Sequence, residues 1–301
     1  MKKIVIILFC IYSFSLIACG EAERPRFDDS TLYVFGDSLS DTGNANIETS
    51  GLVPDKNYYS GRFSNGPLYV DKLAKEFSTP LLPSRLYGSN FAYAGDRSLG
   101  VSAQVFNFTE NVRWHTESTW TYIIWSGAND LLAISQQPEN ANDIISEAIS
   151  HIRFSITRLS AIGAEQIVVL NQMNMARLPR TILNEDNTPG TLTAAELWSN
   201  QFNAALDAML DDLVTEKSIT TVRFDVFSLV EDIILDPSKY ELQNIHESCY
   251  LKDEFAIELT GNESICANPD QYLFWDSIHP TTNAHEILFQ KLLLKINENT
   301  L

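Results

Sequence analysis

The strongest constraint on this 301-residue chain is a recurring pattern: short apolar, β-favouring runs separated by helix-patterned sequence. Residues 31–35 form one such run and stop at Gly36. A weaker one, 90–94, stops at Gly95. Residues 122–125 stop at Ser126-Gly127, residues 167–170 stop at Asn171, and residues 222–227 form the last run. Each is short and almost continuously apolar, as strands of a parallel sheet buried on both faces must be. Between them, residues 67–77, 143–162, 193–213 and 282–296 carry apolar side chains at helical spacing. The third of these opens with Thr193-Ala194-Ala195-Glu196, the pattern of a capping box. Strands alternating with helices predict a single three-layer α/β/α domain with a mainly parallel central sheet. In such sheets, sites collect at the carboxyl ends of the strands. The informative Gly, Ser and Asn residues of this chain sit there.

Composition narrows the partners. Hydrophobic residues make up 45% of the chain, enough for a sizeable core, and the formal charge is -18. A nucleic-acid binder needs a basic surface to displace phosphate counterions, so that class is excluded. The same charge opposes electrostatic adsorption to anionic lipid, but not contact through an apolar rim around a site.

The first residues read as an export signal. Lys2 and Lys3 precede an apolar run that is too short to span a bilayer. Leu16-Ile17-Ala18-Cys19 follows and resembles the lipobox of bacterial lipoproteins, in which Cys19 is lipidated and becomes the new N-terminus. An ordinary signal peptide cut near Ala18 is the other reading. The expected organisation is a signal peptide over 1–18, a tether over 19–30 and the folded domain over 31–301. The destination is the bacterial cell envelope or the medium. Of the four cysteines, Cys10 leaves with the signal and Cys19 is taken. Cys249 and Cys266 remain, and an oxidising compartment favours their closure into a disulfide. For a loop of that size the bridge contributes about 3 kcal/mol in the chain-entropy model. Zinc is not expected, because no second Cys or His pair lies at ligand spacing.

Chemistry concentrates in a few places. Ser38 follows the first strand directly, with Gly36 two places before it, on a turn that exposes its hydroxyl. A serine needs an adjacent base to become a nucleophile. Near the other end stands Asp276-Ser277-Ile278-His279-Pro280. A carboxylate three residues before a histidine can orient one ring nitrogen and leave the other as the base toward Ser38. An oxyanion formed during acyl transfer needs preorganised donors. Gly95, at a strand end, offers a backbone N–H, and Asn129, after the third main strand, offers an amide. Asp37, Asp41 and Asp130 are read as structural. His151 and His285 are read as helix-surface residues. Tyr58, Tyr59, Phe63, Phe106 and Phe108 are candidates for an acyl groove or for packing.

Gly36-Asp37-Ser38-Leu39, Asn90-Phe91-Ala92-Tyr93-Ala94-Gly95, Gly127-Ala128-Asn129-Asp130 and Asp276-Ser277-Ile278-His279 occur in that order. Together they resemble the blocks of the GDSL or SGNH esterases and lipases. The resemblance implies a flavodoxin-like fold, oxyanion donors from Ser38, Gly95 and Asn129, and no cofactor. The longer runs Ser40-Asp41-Thr42-Gly43-Asn44, Gly61-Arg62-Phe63-Ser64-Asn65-Gly66-Pro67 and Phe274-Trp275-Asp276 narrow it further. They resemble the branch of bacterial phospholipases A, lysophospholipases, thermolabile haemolysins and glycerophospholipid:cholesterol acyltransferases. One departure is Ala94-Gly95, where many relatives carry two glycines.

The expected function is therefore carboxylic-ester hydrolysis on acyl lipids, of the lysophospholipase or phospholipase A kind, with acyl transfer to a lipid alcohol as a further outcome. The partners are the acyl-lipid substrate and a membrane surface, reached through Cys19 or the rim of the site. Deacetylation of a polysaccharide is the alternative enzyme reading. A non-catalytic lipid-binding lipoprotein is the alternative of another class. The loop between Cys249 and Cys266 carries Asp253, Glu254, Glu258 and Glu263 among Phe255, Ile257 and Leu259. It is either a lid over the site or a staple for the segment bearing Asp276 and His279.

Overall fold

Four parallel strands, buried on both faces, organise the molecule. The computed structural model describes residues 30–112, 119–252 and 261–299. The elements run β1 (Leu32–Gly36), α1 (Asn44–Glu48), α2 (Tyr69–Glu76), α3 (Ser98–Val112), β2 (Thr121–Trp125), α4 (Ala128–Ile134) and α5 (Ala141–Ala161). Next come β3 (Gln166–Leu170), α6 (Pro179–Glu185), α7 (Thr191–Lys217), β4 (Val222–Phe224) and α8 (Val226–Leu235). The chain closes with β5 (Asn244–Ser248), β6 (Tyr250–Leu251), β7 (Ser264–Ile265), β8 (Tyr272–Phe274) and α9 (Thr282–Asn299). The main sheet has the order β1-β2-β3-β4, with Val34 opposite Ile123, Ile123 opposite Val168 and Val168 opposite Val222. β5 pairs with β8 and β6 with β7 in two small separate sheets.

Alternation along the strands builds two cores. Tyr33, Phe35, Tyr122, Ile124, Ile167 and Val169 face α3, α5 and α7. Leu32, Val34, Ile123, Trp125, Val168 and Leu170 face α2, α8 and α9. This is the expected three-layer α/β/α arrangement. No helix among the described residues is long and apolar enough to cross a membrane.

The run at 90–94 is not a full strand. It lies beside β1 through three hydrogen bonds, Val34 N–H to the Ser89 carbonyl (3.1 Å), Phe91 N–H to Val34 (2.8 Å) and Tyr93 N–H to Gly36 (3.0 Å). Its outward carbonyls are taken by a side chain, because Asn44 Nδ2 donates to both Asn90 O and Ala92 O. At Asn90 the chain before it also pairs, with Asn90 N–H donating to the Leu82 carbonyl (3.0 Å) and Ser84 N–H to the Asn90 carbonyl (2.7 Å), so this side of the sheet is covered. With this segment counted as the second strand, the chain order across the sheet is 2-1-3-4-5, the flavodoxin-like order. The run at 222–227 also divides. The strand ends at Phe224, and Asp225 caps α8 by accepting from the Ser228 N–H at 3.0 Å. The capping box at Thr193 is not formed. α7 begins two residues earlier, and the Glu185 carboxylate accepts from the N–H groups of Gly190 (2.9 Å) and Leu192 (2.8 Å). α3 was not legible as a helix, because Leu99 and Phe106 point to solvent and blur its apolar stripe.

The signal, the tether up to residue 29 and Cys19 lie outside the described residues, as do residues 253–260 of the candidate lid. Cys249 and Cys266 form the expected disulfide, with Cα atoms 4.8 Å apart.

Gly127 shows how tightly the strand ends are packed. Its φ is +127°, and an added Cβ would stand 2.2 Å from Phe202 Cζ, a buried ring of α7. Gly127→Ala is expected to lose about 3 kcal/mol of stability through overpacking and backbone strain, read by denaturant unfolding. An unchanged midpoint and slope would contradict that packing.

Candidate active site

The turn after β1 is built from buried carboxylates. Asp37 Oδ1 accepts the Leu39 N–H at 3.0 Å. Asp41 accepts four backbone N–H groups, from Gly43 (2.7 Å), Asn44 (2.6 Å), Ala45 (3.1 Å) and Ala94 (3.0 Å). The last of these ties the Ser38 turn to the segment carrying Gly95. Gln104 pins the strand end itself, pairing with both the N–H and the C=O of Gly36. The structural reading of Asp37 and Asp41 agrees with these bonds.

Gly95 has φ +85° and open space where a Cβ would stand. Asn129 lies in the first turn of α4, and its Nδ2 donates to the Asp96 carbonyl at 2.9 Å. An amide nitrogen carries two protons, so one remains for a ligand. Asp130 is structural as expected. It accepts from the Ser98 N–H (2.9 Å) and hydroxyl (2.8 Å), closing the loop between Gly95 and α3.

The third part comes from the turn after β8. One oxygen of Asp276 accepts the N–H groups of Ile278 (2.9 Å) and His279 (2.7 Å), and the Trp275 N–H donates to the His279 carbonyl at 2.7 Å. The other oxygen lies 2.7 Å from His279 Nδ1, and His279 Nε2 lies 2.8 Å from Ser38 Oγ. The three expected residues are thus one hydrogen-bonded chain, although Ser38 and His279 are 241 positions apart.

Burial would raise the Asp276 carboxyl, but the neighbouring imidazole, its N–H, the Tyr58 hydroxyl and the Ile278 N–H outweigh that and hold it well below the usual carboxylate range. An ionised Asp276 keeps the proton on Nδ1 and leaves Nε2 as the acceptor toward Ser38. Burial pushes Asp37 the other way, up to about 7, against the pull of the Leu39 N–H and His279.

Tyr58 is the residue that sequence reasoning missed. Of the two readings for this aromatic, groove or packing, packing holds, and its hydroxyl donates to Asp276 Oδ2 at 2.5 Å, across 218 positions. No local spacing signals that contact. Its ring packs edge-on to Tyr250 and Trp275, which stack on each other. Phe63 lies against the His279 ring with centroids 5.2 Å apart. Phe108 is core, and Phe106 is exposed under the Arg158 guanidinium. His285 is not a surface residue. It is 1% exposed, stacks on Tyr69, and neither ring nitrogen has a partner. Burial holds its imidazole neutral, down to about 3.

Two measurements check these electrostatics. Asp37 is expected to keep its proton in the folded state up to about pH 7, against 3.8 without the fold. Stability should therefore fall as pH rises between those values and level off above them. Asp37→Asn keeps an acceptor for Leu39 and should exceed the wild type by about 1–4 kcal/mol at pH 8, converging with it near pH 4. In Tyr58→Phe, Asp276 loses a donor. Part of that buried charge is then unmet, and Tyr58→Phe should lose about 1–3 kcal/mol of stability, read by denaturant unfolding. An unmoved midpoint would mean that the Tyr58 hydroxyl has no hold on that carboxylate.

Comparison with known proteins agrees with this geometry. The model of the GDSL-like lipase/acylhydrolase family matches residues 32–292. A GDSL esterase/lipase of Arabidopsis thaliana is 26% identical over 97% of this chain and 98% of its own length. A phosphatidylcholine-sterol acyltransferase of Aeromonas hydrophila is 25% identical over 96% of this chain and 95% of its own. Among solved structures, an acetyl xylan esterase from Geobacillus stearothermophilus aligns over 90% of this chain and 96% of its own, at 14% identity and a TM-score of 0.47. The family match spans the whole sheet and every block that carries Ser38, Gly95, Asn129, Asp276 and His279, and the chain belongs to the GDSL lipase/acylhydrolase family of ester-hydrolysing enzymes.

Proposed function

We propose that this protein hydrolyses carboxylic esters of acyl lipids, as a lysophospholipase or phospholipase A, with Ser38 as nucleophile, His279 as base and Asp276 as its orienting partner. The observation that carries this reading is where the Ser38–His279–Asp276 chain opens. Ser38, Asn129 and His279 border a narrow cleft whose walls are mostly apolar, among them Leu132, Met173, Leu178, Leu229 and Ile233, with Asp37, Gln172 and His285 as further polar members. A hydrocarbon chain gains from such walls; a sugar, with hydroxyls to satisfy, does not. The cleft therefore favours lipid over polysaccharide.

In this mechanism His279 Nε2 takes the Ser38 proton as Oγ attacks the ester carbonyl. The developing oxyanion is met by the N–H groups of Ser38 and Gly95 and by the second amide proton of Asn129. Nε2 then returns the proton to the leaving alcohol, and water repeats the cycle to release the acid. A lipid alcohol in place of that water gives acyl transfer, and the full-length likeness to the Aeromonas acyltransferase supports testing it.

Ser38→Ala should abolish hydrolysis of lysophospholipid with the fold intact, a loss on the order of 10⁶-fold in kcat. Asn129→Ala should lose about 10²–10³-fold, mainly in kcat. Activity of Ser38→Ala within tenfold of the wild type would remove the assignment. Wild-type turnover of acetylated xylan in preference to lysophospholipid would replace the lipid reading.

We also infer lipidation at Cys19 after removal of residues 1–18, which would hold the enzyme on a membrane through residues 19–30. The sequence Leu16-Ile17-Ala18-Cys19 supports it. Wild-type protein should take up labelled fatty acid in cells and Cys19→Ala should not; unlabelled wild type would favour an ordinary signal peptide.

A further inference from the structure

His279 stands between two cavities, one lined mostly by apolar side chains and one that mixes apolar and charged ones. The narrow apolar cleft lies on one side. On the other lies a roomier cavity of about 450 Å³, lined by Leu52, Asp55, Arg180, Leu183, Leu251 and Lys252 among others. Among the described residues the two share only Ile278 and His279 in their linings. Ser38 and Asn129 border the first cavity and not the second. The second carries charge of both signs: Lys252 Nζ lies 3.2 Å from Asp55 Oδ2 and 4.8 Å from the centre of the Tyr58 ring. Its rim is apolar and exposed, with Leu52 at 60%, Leu183 at 64% and Leu251 at 55%.

We propose that this second cavity is the alcohol subsite, taking the leaving half of the ester, a large polar alcohol of glycerol-headgroup character. The inference rests on the lipid-ester reading above and extends it. When the tetrahedral intermediate collapses, the bond between the acyl carbon and the alkoxy oxygen breaks. The proton on His279 Nε2 passes to that oxygen, and a neutral alcohol leaves acyl-Ser38 behind. The alkoxy oxygen must therefore lie against Nε2, away from the oxyanion donors, and its substituent continues past the imidazole. The acyl chain, joined to the carbon held over Ser38 and Asn129, has the apolar cleft. The substituent on the other side of His279 meets the cavity that begins there. Mixed charge and an apolar rim suit a polar headgroup arriving from a lipid surface. A small alcohol would leave most of that volume unused.

The test varies one half of the ester at a time. kcat/KM is measured on the methyl, glyceryl and glycerophosphocholine esters of octanoic acid, and on methyl esters of increasing acyl length. Leu183→Trp and, from the opposite wall, Leu52→Trp fill the second cavity at exposed positions. Leu229→Trp fills the apolar cleft. Both second-cavity variants should leave the methyl esters within about twofold and lower the glycerophosphocholine ester by about tenfold or more, with acyl-length preference unmoved. Leu229→Trp should do the reverse, shifting acyl-length preference alike for every alcohol. If Leu183→Trp and Leu52→Trp act equally on all alcohols, or change acyl-length preference, the alcohol subsite is overturned. A wild type that cleaves methyl and glyceryl octanoate but no phospholipid ester removes the lipid reading alone, since methyl against glyceryl ester still tests the cavity.

Discussion

The site depends on one buried carboxylate. Asp276 is 5% exposed, and an ionised group in that position costs several kcal/mol unless its lone pairs are met. It meets four donors: two N–H groups of its own turn, His279 Nδ1 and the Tyr58 hydroxyl. The same bonds that offset its burial form the turn, aim the imidazole and tie the loop bearing Tyr58 to the end of β8. Removal of any one leaves part of a buried charge unmet.

That carboxylate is in turn held by its surroundings. Tyr58 rests on Tyr250 and Trp275, and Tyr250 follows Cys249 of the disulfide. Cys249 N–H bonds the Phe274 carbonyl and Tyr250 N–H the Trp275 carbonyl, so the bridged segment lies along the strand that delivers Asp276.

On the other side, topology does the positioning. β1 has a neighbour on each side, and the chain leaves it first toward one and later toward the other. The crevice at such a reversal is where an open α/β sheet receives ligands, because the connections there diverge. Ser38 stands at that point, and Asp41 reaches across it to Ala94. Charge at the crevice is sorted by environment. Asp276 is kept ionised by its donors, whereas Asp37, one residue from the nucleophile, is pushed up by burial with few donors to offset it.

The strands were legible because each is short, apolar and closed by Gly, Ser or Asn. Ser38, Gly95, Asn129, Asp276 and His279 were legible because their neighbours in sequence are the turns that hold them. Period and local spacing carry that information, and both are properties of the chain alone. Helix α3, with Leu99 and Phe106 turned outward, broke the period and was missed. His285 was misjudged because a helical histidine gives no sign of which layer will cover it. The contact of Tyr58 with Asp276 and the division of space by His279 into an apolar cavity and one of mixed lining were beyond the sequence. They join residues about two hundred positions apart, and only the packing of loops over the strand ends decides which of many aromatic and charged residues meet.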